Sequence, residues 1–380
     1  MNFEFTKEQR DIAKAAREFA EKEFAERAEE FDRDETFDDA IRKKAAGLGF
    51  MGVFLEERYG GGGLGIIEQC ILQEEFAAVD LGMSVATLAA CFGSEVIQQF
   101  GTEQQKMKYL PPLTRGEAVM GAAFTEPDAG SDLAAATTAA VRDRNELVIN
   151  GSKTFITNGT KADFLICFVL TDPDNPKPHK RHSMVVVETD REGYEANKLH
   201  GKLGIRASDT AEISFNNVRI PYSNLLGEPG AGFSQAMFCF NLNRLGTAGQ
   251  ALGLMRACLT ESVKYAKKRI VFGAPLSSYQ ATQLKLADMY TWMRAAKNLI
   301  YEAAARIDQR KTDHALIAAA KAFSGQMAVK CADMALQIQG GYGFMADSKV
   351  QRIYRDVKIT EIYEGTTEIE KFIIAKSLLA

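Results

Sequence analysis

The sequence predicts an α+β protein in three parts, helical, then β-rich, then helical again, and three observations carry that reading. Apolar residues recur at helical spacing through the first block, which Pro111-Pro112 closes. From about residue 120 the texture changes to short β-branched and aromatic runs separated by turn residues. After Gly227-Glu-Pro-Gly-Ala-Gly232 come long Ala- and Leu-rich segments suited to a helix bundle. These shifts place a helical N-terminal domain over 1–118, a β domain over 119–226 and a C-terminal helix bundle over 227–380.

The elements follow in order. Thr6-Lys7-Glu8-Gln9 has the form of a capping box, in which hydroxyl and amide each satisfy a free backbone N–H. Behind it Ile12, Ala16, Phe19 and Ala20 fall on one helical face. Further helices are expected over Ala40–Ala46, Ile66–Val79, Val85–Phe100 and Glu103–Tyr109. In the β block, Glu146–Ile149 and Lys153–Ile156 flank Asn150-Gly151, a hairpin signal because both residues tolerate positive φ. Phe164–Leu170, Met184–Glu188 and Ala211–Phe215 read as strands, and the Pro/Lys-rich stretch Thr171–His182 as a surface loop. The bundle helices are expected over Phe233–Arg269, Gln280–Arg310, Ala315–Gln339 and Thr367–Leu379.

Composition narrows the function classes. The 380 residues are 46% hydrophobic and 25% charged, enough for a large core. With a net charge of -4 and a pI near 5.8, nothing favours nucleic acid or an anionic membrane surface. The apolar runs read as too short to span a bilayer, and the acidic N-terminus lacks the order of an export signal. Six scattered cysteines without a Cys-x-x-Cys fit buried thiols in a reducing cytoplasm.

Several apparent motifs carry no chemistry. Gly60-x-Gly62-x-x-Gly65 matches a dinucleotide-binding pattern, but Glu56-Glu57-Arg58-Tyr59 precedes it where a buried strand is required, so it reads as a loop. The histidines at 179, 182, 200 and 314 lack ligand spacing, and no metal site is expected; His179 and His182 read as solvated. Asn150-Gly-Ser152 and Asn158-Gly-Thr160 are turns rather than glycosylation sites.

Four segments are harder to explain as packing alone. In Phe124-Thr-Glu-Pro-Asp-Ala-Gly-Ser-Asp132, small residues let backbone N–H groups approach a phosphate or a polar ring edge, although a plain turn reads the same way. In Lys153-Thr-Phe-Ile-Thr-Asn-Gly159, strand alternation sets Phe155 and Thr157 on one face, an aromatic plane beside a hydroxyl that suits a flat heterocycle. A half-buried strand without a ligand is the simpler account of that segment. Gln337-Ile-Gln-Gly-Gly-Tyr-Gly-Phe344 has more glycine than a helix end needs, so the backbone can approach something bulky. In Ile362-Tyr-Glu-Gly-Thr-Thr-Glu368, Thr367 and Glu370 can cap the last helix, which puts Glu364 on the loop before it, beside the side-chain-free Gly365.

Together these segments resemble the acyl-CoA dehydrogenase family over essentially the whole chain. The Thr-Glu-Pro…Gly-Ser-Asp, Phe-Ile-Thr-Asn-Gly, Arg-x-x-Phe-Gly, Gln-x-x-Gly-Gly-x-Gly and Tyr-Glu-Gly-Thr elements stand in family order. The resemblance implies an N-terminal helical domain, a middle β-barrel-like domain and a C-terminal four-helix bundle, with FAD between the last two. It implies that Phe124, Thr125, Gly130 and Ser131 line the FAD, with Phe155 and Thr157 against its ring system. Many relatives carry Trp where Phe155 stands, and Ala122 replaces a common aromatic.

Arg269, Phe272, Gln280, Gln337 and Gly341 resemble FAD contacts donated by a neighbouring subunit, which implies an oligomer, a homotetramer as the working assumption. Thr366 and Glu368 fall where relatives hold FAD again. Glu364 matches the general base; a second group in the family places its base at the position of Asn243, which cannot serve. Ser131, Asn241, Arg244, Tyr363 and Gly365 match positions near the acyl-CoA substrate, though Asn241 replaces a common Asp. The implied reaction is α,β-dehydrogenation of a short, branched or alicyclic acyl-CoA, with electrons passed to an electron-transferring flavoprotein. An acyl-CoA oxidase, an enoyl-CoA reductase and a non-catalytic flavin- or acyl-CoA-binding protein remain as rival readings. Cys91 reads as a buried structural thiol or as the end of the acyl pocket.

Overall fold

The computed structural model describes residues 4–379. Thr6 caps α1 (Lys7–Glu23): its hydroxyl accepts from the Gln9 N–H, and the Gln9 side chain accepts from the Thr6 N–H. The N-terminal block continues through α2 (Ala28–Asp34), α3 (Asp39–Gly47), α4 (Ile66–Val79), α5 (Leu81–Leu88), α6 (Ser94–Phe100) and α7 (Glu103–Thr114). The Gly60–Gly65 segment is a loop, as its preceding residues require.

Two expectations fail here for local reasons. Pro111 and Pro112 lie inside α7 rather than ending it, because they occupy its last turn, where their carbonyls still accept from the N–H groups of Arg115, Glu117 and Ala118. The expected helix over Val85–Phe100 is broken at Gly93, whose φ of +98° and crowding by Ile166, 2.6 Å from where a Cβ would stand, admit only glycine. Leu81–Phe100 is long and apolar enough to cross a membrane by composition, but it is interrupted there and mostly buried in the fold.

The middle block is a curled seven-stranded sheet of β1 (Met120–Ala123), β2 (Ala139–Asp143), β3 (Glu146–Thr157), β4 (Phe164–Leu170), β5 (His182–Glu188), β6 (Tyr194–Lys198) and β7 (Thr210–Pro221). Its order is β1-β4-β2-β3-β7-β6, with β5 antiparallel along β4. Alternation sends Phe164, Ile166 and Phe168 of β4 into the core shared with the N-terminal helices, and Leu165, Cys167 and Val169 into the core inside the sheet. Both faces are covered, which is why β4 reads as an unbroken apolar run.

Asn150-Gly151 is not a hairpin turn. β3 runs straight through it with a register shift against β7, and the turn that joins β2 to β3 lies at Arg144, with φ of +56°. His182 is not solvated either: it opens β5, stacks on Phe168 at 4.4 Å and lies 2.9 Å from the Ala136 carbonyl oxygen through Nε2. All six cysteines are buried and unpaired.

The C-terminal bundle comprises α8 (Gly232–Lys268), α9 (Gln280–Asp308), α10 (His314–Gln339), α11 (Lys349–Val357) and α12 (Thr367–Leu379), with a short hairpin of β8 (Ile270–Val271) and β9 (Ala274–Pro275) after α8. The N-terminal helix α4 packs directly on α8. A Cβ on Gly253 would sit 2.3 Å from the Glu74 carbonyl oxygen, and one on Gly249 2.9 Å from that of Cys70. Glycine therefore sets the spacing of the two helices that flank the site.

A buried ion pair ties the sheet to the loop after β1. Lys153 donates to Glu126 Oε1 at 2.8 Å and to the Phe124 carbonyl at 3.0 Å, and Glu126 also accepts from the N–H groups of Thr137 and Thr138. Burial pushes the Glu126 carboxyl up, but Lys153 and these donors outweigh it and hold the pKa at about 2. Because the native value lies below the ordinary one, the contribution is whole at neutral pH and is lost as pH falls from the carboxylate range toward 2. Lys153→Met, which strands that carboxylate, is expected to lower the unfolding free energy by about 3–5 kcal/mol in urea melts at neutral pH.

Candidate active site

α12 begins at Thr367, so Glu364 stands on the preceding loop as expected. The cap differs in detail: Thr366, not Thr367, accepts from the Ile369 N–H, at 3.4 Å, and the Thr367 hydroxyl turns back to the Glu361 carbonyl. Glu364 and Gly365 both have positive φ, +56° and +104°. For a glutamate this conformation is strained, so the surroundings must impose it.

Arg244, buried on α8, imposes it. Its Nε donates to the Glu364 carbonyl at 3.2 Å and lies 2.8 Å from Glu370 Oε1, while Nη1 donates to Asn241 Oδ1 at 2.9 Å. Lys321 of α10 donates to the Gly365 carbonyl. Tyr363 donates to Gln250, which donates in turn to Gln73 on α4 at 2.7 Å. The loop is thus fastened to three helices. Arg244 and Asn241 are both joined to this network, Arg244 to the Glu364 loop and Asn241 to Arg244.

The Glu364 side chain enters a cavity of about 100 Å³ between α4, the α5–α6 segment and α8. Its Oε2 is buried without a partner. Burial pushes the pKa up to about 7; Arg244 opposes the rise, the nearby Glu95 carboxyl adds to it, and Lys321 opposes it. A carboxylate at that value, unpaired and facing an enclosed pocket, is poised to take a proton near neutral pH. Thr157, Tyr363 and Cys91 share this cavity with it.

The other expected residues form two groups. In the first, Thr125 and Phe155 are brought together because the Thr125 carbonyl accepts from the Thr154 N–H at 2.9 Å. The Phe155 ring is 69% exposed, turned out by a residue with φ of +58° at a bulge, so the strict alternation expected of that strand is interrupted. Gly130 and Ser131 are exposed, with open space where a Gly130 Cβ would stand. Phe124 departs from expectation: its ring is buried against Phe168 and Phe240, so any flavin contact falls to its backbone.

The second group lies at the far end of the bundle. Arg269 and Gly341 line a groove of about 550 Å³, with the Arg269 guanidinium 5.8 Å from the Tyr342 ring. Phe272, 99% exposed at the β8–β9 turn, and the exposed Gln280 and Gln337 lie on the elements around it. Thr366 is half-buried and Glu368 exposed, at the start of α12. The exposed Phe155 plane, the open glycine cradles and the cationic groove suit a long cofactor with a flat ring and a pyrophosphate, so the residues present fit FAD.

Family models for the acyl-CoA dehydrogenase N-terminal, middle and C-terminal domains match residues 6–117, 121–218 and 230–379. The chain belongs to the acyl-CoA dehydrogenase family. An acyl-CoA dehydrogenase of Bacillus subtilis (strain 168) is 41% identical over 98% of each chain. The acryloyl-CoA reductase (NADH) of Anaerotignum propionicum is 40% identical over all of this chain and 96% of that one. The solved butyryl-CoA dehydrogenase of Megasphaera elsdenii superposes with a TM-score of 0.96 at 37% identity, each chain covered in full. Members of this family are flavoprotein oxidoreductases, and the fold described above is theirs.

Seen as an acyl-CoA dehydrogenase, the protein has site residues that its sequence did not reveal. Glu95, Gln69, Gln73 and Gln250 line the cavity, and Lys321 and Glu370 hold the loop. The one available signal was a carboxylate inside the apolar stretch Leu81–Phe100. Among the described residues no cluster could hold a metal ion.

A methyl group at residue 365 would meet Glu370 Oε1 at 2.2 Å and force an unfavourable φ. Gly365→Ala is therefore expected to lower kcat by tenfold or more in steady-state assays, since about 1–3 kcal/mol of strain must displace the loop.

Proposed function

We propose that this enzyme catalyses FAD-dependent α,β-dehydrogenation of short acyl-CoA thioesters, with Glu364 as the general base. The observation that carries the proposal is the Glu364 carboxyl, with Oε2 buried and unpaired, at the head of a small cavity of mixed apolar and polar lining. Bound FAD would supply the two-electron oxidant that accepts hydride from the β-carbon. Glu364 takes the α-proton, and an acyl chain filling the cavity excludes water from the carboxyl and strengthens it as a base.

Proton removal sends charge onto the thioester carbonyl oxygen, which needs a donor. The main-chain N–H of Glu364 has no acceptor among the described residues and is free for that role. The left-handed backbone at 364 and 365, held by Arg244 and Lys321, keeps that N–H and the carboxyl on one loop. The cavity of about 100 Å³ favours short acyl groups.

FAD shared across a subunit boundary, a homotetramer and an electron-transferring flavoprotein as acceptor complete the proposal. The exposed Phe272 and Arg269, distant in sequence from Glu364, support the shared cofactor. A cytoplasmic location is part of the same reading. The relative named an acryloyl-CoA reductase favours a second reading, in which the same site runs in reverse and Glu364 returns a proton to the α-carbon. Anaerobic stopped-flow with acyl-CoA against enoyl-CoA, and ferricenium against oxygen as acceptor, distinguishes the two and also reveals an oxidase.

Glu364→Gln is expected to keep the yellow flavin spectrum and to lose nearly all dehydrogenation. Wild-type turnover in that variant would remove Glu364 from the mechanism. In the wild type, log(kcat/KM) should rise with pH at unit slope and level off above about 7, because the base must be ionised.

A further inference from the structure

The acyl cavity contains a second carboxyl that the chemistry above does not use. Glu95, at the start of α6, is only 4% exposed, and its outlet is the same cavity that receives Glu364. Its Oε1 accepts from Asn243 Nδ2 at 2.6 Å and from Cys239 Sγ at 3.0 Å, and its Oε2 accepts from the Gly93 N–H at 3.2 Å. A surface glutamate in the first turn of a helix needs none of this. A carboxyl held by three donors in an apolar interior is a fixed group, and removing it from water has a cost that packing alone does not offset.

Two acceptors on residues that line the same cavity have no partners. Gln69 Oε1 is buried and unpaired, and Asn243 Oδ1 accepts no hydrogen bond among the described residues, since the amide is turned so that its Nδ2 serves Glu95 and the Cys239 carbonyl. Burial raises the Glu95 pKa against the pull of its donors. In its neutral form the carboxyl has one O–H to donate, and the three groups bonded to it, the Gly93 N–H, Cys239 Sγ and Asn243 Nδ2, all stand to it as donors. A hydroxyl group can accept from that one donor and donate to one of the two free acceptors.

We propose that Glu95, Asn243 and Gln69 form an oxygen-recognising wall, which selects short acyl thioesters carrying a hydroxyl group beyond the β-carbon. The α- and β-carbons must lie between Glu364 and the flavin, so only the more distal carbons can present a substituent to this wall. Glu95 is then a specificity-determining residue. Its hydrogen bond to Asn243 orients the amide oxygen toward the ligand. The proposal rests on the dehydrogenase reading and narrows its substrate class.

The test compares 4-hydroxybutyryl- and 5-hydroxypentanoyl-CoA with butyryl- and pentanoyl-CoA on the FAD-loaded enzyme. At least one hydroxylated thioester should exceed its plain counterpart by about tenfold or more in kcat/KM, since a buried hydrogen-bonding site left unpaired discriminates strongly. Glu95→Leu should lower that ratio by about tenfold to a hundredfold, mainly through KM. Glu95→Gln, which still has an N–H to donate, should keep most of the preference.

Wild-type preference for both plain chains, or equal losses on both classes in Glu95→Leu, would overturn the proposal. Equilibrium binding of 4-hydroxybut-2-enoyl- and but-2-enoyl-CoA gives the same comparison without turnover. If no acyl thioester bleaches the flavin but the hydroxylated ligand binds more tightly in a Glu95-dependent way, the dehydrogenase reading fails and the wall stands.

Discussion

The site depends on one buried guanidinium. Arg244 reaches from α8 to the carbonyl of Glu364, to the carboxylate of Glu370 and to the amide of Asn241, three groups with little else to hold them. Burying such a charge is costly, and the cost is offset only when each N–H finds an acceptor. The consequence is a loop whose strained backbone is the least unfavourable choice, because relaxing it would strand the guanidinium. The Glu364 carboxyl is therefore positioned by electrostatics transmitted through its own main chain.

Much of this was legible in the sequence, for identifiable reasons. The bundle helices announce themselves by length and Ala/Leu content, and β4 by an apolar run covered on both faces. Glu364 stood out because a glycine and a helix start fix its place on a loop. The misreadings share a cause: tertiary context overrode a local signal. Asn150-Gly151 has the chemistry of a turn, but pairing with β7 on both sides draws it into a bulged strand. Pro111-Pro112 does not stop α7 where expected, because the prolines fall in its final turn and their carbonyls still accept from Arg115, Glu117 and Ala118. Glu95 was invisible because the sequence puts it near the end of one expected helix over Val85–Phe100, where a single glutamate reads as an ordinary polar position. Only three-dimensional neighbours distinguish it.

The cofactor side shows a different limit. Strand alternation brought Phe155 and Thr157 to attention, yet it is the bulge beside them that turns the Phe155 ring outward. The buried Lys153–Glu126 pair anchors that strand to the loop carrying Thr125 and Ser131, so one ion pair arranges two segments separated in the chain. Arg269 and Phe272 belong to a separate end of the molecule. Sequence order alone does not disclose that division.

The glycine contacts between α4 and α8 bear on how such an enzyme can change over evolution. Where backbone touches backbone there is no side chain to trim or enlarge, and any added carbon wedges the helices apart. Gln69 and Gln73 on one helix would then shift relative to Asn243 on the other, and the loop carrying Glu364 would be disturbed with them. That seam is closed to gradual adjustment. New substrate ranges are more readily reached by altering the α5–α6 segment, which contributes Val85, Leu88 and Phe92 to the same chamber without bearing any part of the Arg244 network.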